Sequence, residues 1–534
     1  MLESRVSFLL FAFLLTFILQ FVKDILLYLY RQMKIIMGRI VLLLILLLGA
    51  GHVYSQYFPG EGSKLHYRII GFSFPSGDKS GDYLLEIAQG RQDNKDSFSK
   101  NIINKLSTDK NRIIAEVPLF GNEYTWRVTY NLKGKAVRTS PLNHFQTIKN
   151  DRVDSSKQRL RVMLPTKKHN DNYIIVDGGG VIYDMNGQPV WFIPETKEFG
   201  GNVADVKITK ENTMTFICGD DFEIDYNGNK IWKSPKVGKI SGDTAHGELY
   251  HHEFYKMSNG HYLAMGMQNR LAKIVKNNGV PSLETIDSKI IEPHDGYKIG
   301  KFGFLVEYDK DNNIIWSWKS LDYYMNSDLP YYNPADTILL FDPHDNSFYF
   351  DEHAKVIYLG YKNISRVVKI EYPSGKVLAT YGENFKPGNV GQGSGLFCQQ
   401  HAINILSNGD FCFYNNNSCN RSDSLPTVEI VKEPEGPNKD FTQVWEYTCT
   451  GDGKKNFYVR GGNVIELKDK SLFVNMGGRY SKLFIIDRAK NIDWEALPEK
   501  YMYTELRWAP TYEYRTNIIS RKVLEQLIWK AQGY

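Results

Sequence analysis

Three of the twelve histidines recur in one local setting. His401 heads a short apolar run that turns at Asn408-Gly409 and returns through Asp410 to Tyr414. His252 stands the same way before Asn259-Gly260 and the run His261 to Met265. His344 precedes a run that turns at Asp351-Glu352 and returns through Val356-Ile357-Tyr358. An Asn-Gly pair between apolar runs is a hairpin signal. Imidazoles that share one register of a repeated hairpin can converge on a common axis. There they could attack as nucleophiles, exchange protons, or bind zinc with an open fourth position. One strand-edge histidine is more often a hydrogen-bonded structural residue; the shared register sets these three apart. No HExxH occurs, and His251-His252-Glu253 sits in a strand pattern.

The elements that would position them form a repeat. Its signature is an apolar strand, a turn rich in Asp, Asn or Gly, then a second strand often ending in Trp. It runs from Gly180 to Trp191, Phe222 to Trp232, Phe304 to Trp316, Val367 to Leu378, Val428 to Trp445 and Leu483 to Trp494. Between these copies lie further hairpins, including Asp205 to Cys218, His252 to Gly266, His401 to Tyr414 and Asn463 to Gly477. Two hairpins per unit make a four-stranded blade, and radial repetition protects the sheet edges. The expected fold is all-β, a six-bladed β-propeller over residues 165–534. The innermost strand of each blade faces the axis, so the start of that strand is where a functional side chain belongs.

Residues 56–150 read as a small β-sandwich. Tyr124, Trp126, Val128 and Tyr130 alternate onto one face of a strand. With the closing Phe145-Gln146-Thr147, this resembles a fibronectin type III module. Asn150 to Leu164 is polar and basic and reads as a linker. A chain of 534 residues suits two or three domains, and 34 Tyr, 29 Phe, 9 Trp and 44 Gly favour β structure. The net charge is +5, from 65 basic and 60 acidic side chains, with no basic block, so nucleic acid is excluded as a partner. Five cysteines without a CxxC speak against structural zinc; Cys412 and Cys419 are close enough in sequence for a bridge. Residues 1–55 form a hydrophobic leader. Met33-Lys34-Ile35-Ile36-Met37-Gly38-Arg39 followed by Ile40 to Leu48 reads as a signal peptide starting at Met33 or Met37. The alternative is a retained membrane anchor; either one exports the rest of the chain, to a periplasmic location where disulfides are permitted.

Three short motifs then meet a family. Gln400-His401 with Asn408-Gly409 and Tyr414-Asn415-Asn416 resembles the bacterial aryl-sulfate sulfotransferases that need no nucleotide sulfate donor. Asp342-Pro343-His344-Asp345-Asn346-Ser347 is similar to that family's His-x-Asn-Ser segment, and His251-His252-Glu253 to its His-His-acid strand. The likeness spans about residues 170–520, and a sandwich before a six-bladed propeller is also the family's architecture.

The resemblance implies sulfuryl transfer from an aryl sulfate to a phenol in two steps, without cofactor or metal. His401 matches the nucleophile that carries a sulfohistidine. His252, His344 and Asn346 match donors to the sulfuryl oxygens, and His252 or His344 would exchange a proton with the phenolic oxygen. The family's arginine after this strand pair is replaced by Lys362, in Gly360-Tyr361-Lys362-Asn363. Lysine keeps the charge without the planar fork, so either Lys362 serves as a point charge, or Arg366 reaches in from the next turn, or activity is weakened. Tyr323-Tyr324 and Tyr331-Tyr332-Asn333-Pro334 are candidates for an aromatic lid. Gly461-Gly462 would admit a sulfate or simply form a bulge. A homodimer is left open by the resemblance, and contact with a membrane requires the N-terminal segment. The competing readings are a non-catalytic propeller binding a glycan or aromatic ligand, and a metal-dependent hydrolase.

Overall fold

The computed structural model describes Met33 and residues 57–77, 81–199, 202–236, 249–286, 292–323, 339–382, 396–418, 425–436, 439–450, 460–478 and 482–534. The leader at residues 1–55 (Met33 apart), Cys419, Tyr324 and the stretch Tyr331 to Pro334 lie outside them. The chain is all-β.

The N-terminal part pairs a six-stranded sheet with a two-stranded one. The larger sheet runs in the order Ser63–Leu65, Asn143–Thr147, Glu123–Leu132, Asp82–Gln89, Ile102–Thr108, with Lys135–Thr139 added to Glu123–Leu132. The smaller joins Ile69–Ser73 to Arg112–Glu116. The aromatic alternation does what its period dictates: Tyr124, Trp126, Val128 and Tyr130 are all buried. Phe72 of the small sheet packs edge-on against Trp126 at 5.2 Å and Phe145 at 5.9 Å. The same apolar cluster continues into Trp191, Phe216 and Tyr226, and into the C-terminal helix Arg521–Ala531.

Among the described residues, the rest of the chain forms six sheets, each built on four antiparallel strands. Sheet 2 begins with Ala204–Ile208, sheet 3 with Leu249–Lys256, sheet 4 with Asp345–Asp351, sheet 5 with His401–Ile405 and sheet 6 with Asn463–Glu466. Sheet 1 differs. Its first strand in space, Thr516–Ser520, is supplied by the C-terminus and pairs with Asn172–Val176. These six leading strands touch in cyclic order, sheet 1 to 2 and onward to 6, and sheet 6 back to 1. Each of the six hairpins read from the sequence forms the third and fourth strands of one sheet, and each carries a bulge; in sheet 6 further strands pair beyond it.

The tryptophans that end these hairpins link neighbouring sheets. Trp191 Nε1 donates to the Tyr226 carbonyl at 2.8 Å, Trp316 to Pro373 at 2.7 Å, and Trp445 to Arg488 at 3.0 Å. Trp494 of sheet 6 donates to Met185 of sheet 1 at 3.0 Å, joining the ends of the series. Trp494 is fully buried. Trp494→Phe is expected to lower stability by about 2 kcal/mol, from a lost buried hydrogen bond and a cavity. Chemical denaturation checks this.

The middle strands of the sheets are covered on both faces, which calls for apolar residues at successive positions. Val356–Tyr361 and Phe411–Asn415 are buried throughout. The stretch ending at Leu164 is not wholly a linker: Gln158–Leu164 pairs antiparallel with Ile492–Met502 of sheet 6. Its basic residues are matched, since Arg159 and Arg161 both bond the buried Glu499, at 2.8 Å and 3.0 Å.

Candidate active site

The leading strands do not run straight past the axis. Register shifts interrupt their pairing between Ala204 and Lys207, Tyr250 and Phe254, Asp345 and Ser347, and His401 and Asn404. Within three of these shifts, and just before the one in sheet 4, a non-glycine residue takes a left-handed backbone: Asp205 (φ 56), His252 (φ 66) and Ala402 (φ 55), and His344 (φ 59). That conformation is costly for side-chain-bearing residues and collects at functional sites. A bulge re-aims side chains. In sheet 6 the position falls to Gly461 (φ 69) and Gly462 (φ 103).

This geometry brings the three histidines together around a residue the sequence had not marked, Tyr514. The His252 and His344 rings lie 5.0 Å apart, edge to face. The Tyr514 ring is 5.2 Å from His252 and 6.1 Å from His401. Tyr514 precedes the last strand of the chain, Thr516–Ser520, which pairs with Asn172–Val176 of sheet 1. The glycines make room for it: Gly462 N–H donates to the Tyr514 carbonyl at 3.0 Å. A Cβ on Gly461 would lie 2.6 Å from that oxygen, and one on Gly462 2.2 Å from the Tyr414 ring.

His401 is buried, with Nδ1 2.6 Å from Asn416 Oδ1. The orientation of the Asn416 amide is fixed because its Nδ2 donates to the Gly461 carbonyl at 3.1 Å. The acceptor is therefore Oδ1, Nδ1 of His401 carries the proton, and Nε2 holds the lone pair. Burial, then the Lys362 charge, hold this imidazole well below its ordinary pKa, against the pull of Asn416. It is neutral at neutral pH. His252 is also held well below, by burial and then by His251, to whose Nδ1 its own Nδ1 is hydrogen-bonded. His251 is pushed down to about 3 by burial.

Lys362 sits beside His344, since its backbone N–H donates to the His344 carbonyl at 2.8 Å. Burial lowers its pKa while Asp342 opposes. Arg366 is buried; its Nη1 donates to Tyr323 Oη at 3.3 Å and its carbonyl accepts from Gln400 Nε2 at 3.0 Å. Lys362 is the cation that His401 feels most strongly. Asn346 is fully buried and its Nδ2 donates to the Gln400 carbonyl at 2.7 Å. That bond braces the residue directly before His401 and engages one of the two N–H donors of the amide. Tyr323 stacks on Tyr361 with ring centroids 6.5 Å apart.

Beneath the rings lies a buried ion network on Arg515. Its Nη1 bonds Glu253, its Nη2 donates to the Asn346 carbonyl at 2.8 Å, and its backbone N–H donates to Asp177 at 2.8 Å. Lys207 bonds Asp205 at 2.6 Å and also Glu253. Against burial, Arg515 and Lys207 keep Glu253 ionised. Glu253, Ala402 and Arg515, each one residue after a ring of the site, line a cavity of about 590 Å³. Tyr514 borders another of about 500 Å³, with Tyr183, Val203, Met502 and Tyr512 in its wall.

Asp345 is buried against Gly303, where an added Cβ would lie 1.5 Å from its Oδ2. Burial pushes its carboxyl up to about 8. The unfolded value is about 3.9, so the native state keeps a proton that the unfolded chain loses across this interval. Stability should fall by up to about 1.4 kcal/mol per pH unit from roughly pH 4 to pH 8 through this group. Asp345→Asn is expected to flatten that decline, read as the denaturation midpoint against pH.

Cysteine chemistry differs from the spacing argument. Cys412 is a free buried thiol, as is Cys449, and Cys218 is free; Cys398, three residues before His401, is disulfide-bonded. Among the described residues no group of three His, Cys, Asp or Glu side chains could hold a metal ion.

The family model for arylsulfotransferases (ASST) matches residues 147–504, which carry all three histidines and Lys362. The chain belongs to that family. Membership makes aryl sulfotransfer its general activity class. No curated protein matches the sequence. Among solved structures, a protein of unknown function from Bacteroides caccae is 13% identical, with a TM-score of 0.35 over 64% of this chain and 93% of that one. The β-propeller domain of Swd1 from Myceliophteria thermophila is 8% identical, with a TM-score of 0.30 over 66% and 100%. A putative 6-phosphogluconolactonase from Bacteroides fragilis is 13% identical, with a TM-score of 0.32 over 84% and 100%. Likenesses this low carry no argument about fold or activity. Tyr514 and Arg515 lie beyond the matched segment, and no local pattern around them signals a site; only their strand pairing does.

Proposed function

We propose that this protein moves a sulfuryl group from an aryl sulfate to a phenol in two displacements, through a sulfohistidine at His401. The observation that carries the reading is the His401–Asn416 bond, which leaves Nε2 of a neutral, buried imidazole as the nucleophile. In the first step Nε2 attacks sulfur and the phenol departs. In the second, an acceptor phenol takes the group and restores His401. By analogy with phosphoryl transfer, the transition state is loose and its charge lies on the equatorial oxygens. Lys362 supplies positive charge beside them, and His252 and His344 supply hydrogen bonds. Tyr514, 6.1 Å from His401, offers a ring face or edge for an aryl group to pack on.

The scaffold in this reading is a six-bladed propeller behind a fibronectin-III-like sandwich. The cyclic contacts of the six leading strands, the C-terminal strand in sheet 1 and the Trp494 bond support it. The export reading, with the enzyme working in the periplasm, is supported by the leader pattern and by the disulfide at Cys398.

The test uses a chromogenic aryl sulfate. Phenol release should depend on an added acceptor, persist in EDTA, and give parallel double-reciprocal plots. Protein incubated with donor alone should gain one labile sulfuryl group on the peptide containing His401. Release that needs no acceptor, or an adduct on another residue, would refute the assignment.

A further inference from the structure

Each of the three histidines has a different group at its Nδ1. His401 faces the amide oxygen of Asn416 at 2.6 Å. His252 faces the neutral ring of His251. His344 faces the carboxylate of Asp342, with Oδ1 at 3.6 Å. In every case the engaged nitrogen is Nδ1, which leaves Nε2 for substrate. The partners differ in the one property that decides proton chemistry. An amide oxygen or a neutral imidazole orients a ring with little stabilisation of charge on it; a carboxylate stabilises the imidazolium far more.

The Asp342 carboxylate is arranged for this. Its Oδ1 is buried without a hydrogen-bond partner, beside the His344 ring. At 3.6 Å the pair is within ion-pair reach but longer than a hydrogen bond, and such contacts commonly tighten when substrate binds. Against burial, His344, Lys301 and Lys362 hold the Asp342 carboxyl below its ordinary range, so it is an anion. The loop is clamped: Asn363 Nδ2 donates to the Asp342 carbonyl at 2.7 Å and Lys362 N–H to the His344 carbonyl at 2.8 Å. The titratable and charged groups facing His344 are Asp342, His251, His252, His401 and Lys362, with Lys301 acting through Asp342 at 3.6 Å. Of these, Asp342 is the anion.

We propose that these Nδ1 partners divide the labour: Asp342 makes His344 the acid–base that exchanges a proton with the phenolic oxygen, while Asn416 and His251 orient His401 and His252 without supplying an anion. This rests on the sulfuryl-transfer reading. In the first step the His401 Nε2 lone pair forms the N–S bond as the S–O bond breaks, and the electron pair goes to the phenolic oxygen. His344 Nε2–H gives its proton to that oxygen, and His344 becomes neutral with Nδ1–H toward Asp342. In the second step the acceptor hydroxyl returns a proton to His344 Nε2 as its oxygen attacks sulfur. The N–S pair returns to His401. Asp342 and His251 are positioning residues.

The test is dependence on the leaving group. Donors whose phenols leave as stable anions need little protonation; donors with basic phenols need it fully. Asp342→Asn is expected to slow release of a basic phenol by about 10²-fold or more, but that of an acidic nitrophenol by less than about tenfold. Asp342→Glu should restore part of the loss, and His344→Gln should show the same slope. His251→Gln should slow all donors alike. An even loss across donors in both Asp342→Asn and His344→Gln overturns the division of labour. So does a steep dependence confined to His251→Gln. Absence of a His401 adduct in the wild type, seen with the acidic donor, instead overturns the transfer reading itself.

Discussion

His401→Asn is expected to abolish both half-reactions while the protein stays folded. The asparagine amide can still donate toward Asn416 Oδ1, where His401 Nδ1–H now donates across 2.6 Å. No charge is removed, because the wild-type ring is held neutral by burial and the nearby Lys362. What disappears is the Nε2 lone pair. Loss of a covalent nucleophile commonly costs about 10⁴-fold or more in turnover. Three readouts should change together: steady-state transfer, the donor-only burst of phenol, and the sulfuryl adduct. An adduct that survives the substitution would place the nucleophile elsewhere. Because the folded ring is neutral well below its ordinary pKa, wild-type transfer should also lack an acid limb from His401 near pH 6.5. A sharp loss there would point to a different titrating group.

Arg515→Met is expected to have the largest effect on stability. Arg515 and Glu253 are both buried, and they join the last strand of the chain to sheet 3. Arg515 also reaches Asp205 at 3.6 Å and braces Asn346 in sheet 4 at 2.8 Å. Methionine has similar length and no charge. It would leave Glu253 with Lys207 alone, inside a low-dielectric site that also holds Asp205. Breaking one side of a buried pair typically costs about 3–5 kcal/mol. Denaturant titration should show this loss. Catalysis should fall as well, since Asn346 holds the Gln400 carbonyl at 2.7 Å, directly before His401. The double variant Arg515→Met with Glu253→Gln should recover part of the stability, because no unpaired anion then remains. Failure to recover would mean that lost packing, rather than the orphaned charge, dominates.

The parts of the site that were legible were those with a local period. Histidine, apolar run, turn and return strand can be read along the chain, and His252, His344 and His401 were found that way. Lys362 was legible through its place in the motif. The bond that Asn346 makes was not legible, because residue type and motif position do not reveal which way an amide points; its partner, Gln400, is fifty-four positions away. The stretch Gln158–Leu164 was misjudged for a related reason. Its arginines look like solvated linker charges until Glu499 lies opposite them. Cys412 was near Cys419 in sequence, yet it is a free thiol in a buried strand.

By itself, the sequence determined the all-β class, six repeated hairpins, the tryptophan that ends most of them, and three histidines in one register. These depend on contacts within a few residues or on a period of two, which side-chain type encodes directly. Tertiary structure alone decided the left-handed backbone of His252 and His344, and the choice of Nδ1 partner for each ring. It also decided the arrival of Tyr514 and Arg515 from the C-terminus. Those outcomes depend on the field and the free space at one point where strands distant in sequence meet. A buried imidazole takes its proton affinity from all of those neighbours together, and no window of the chain contains them.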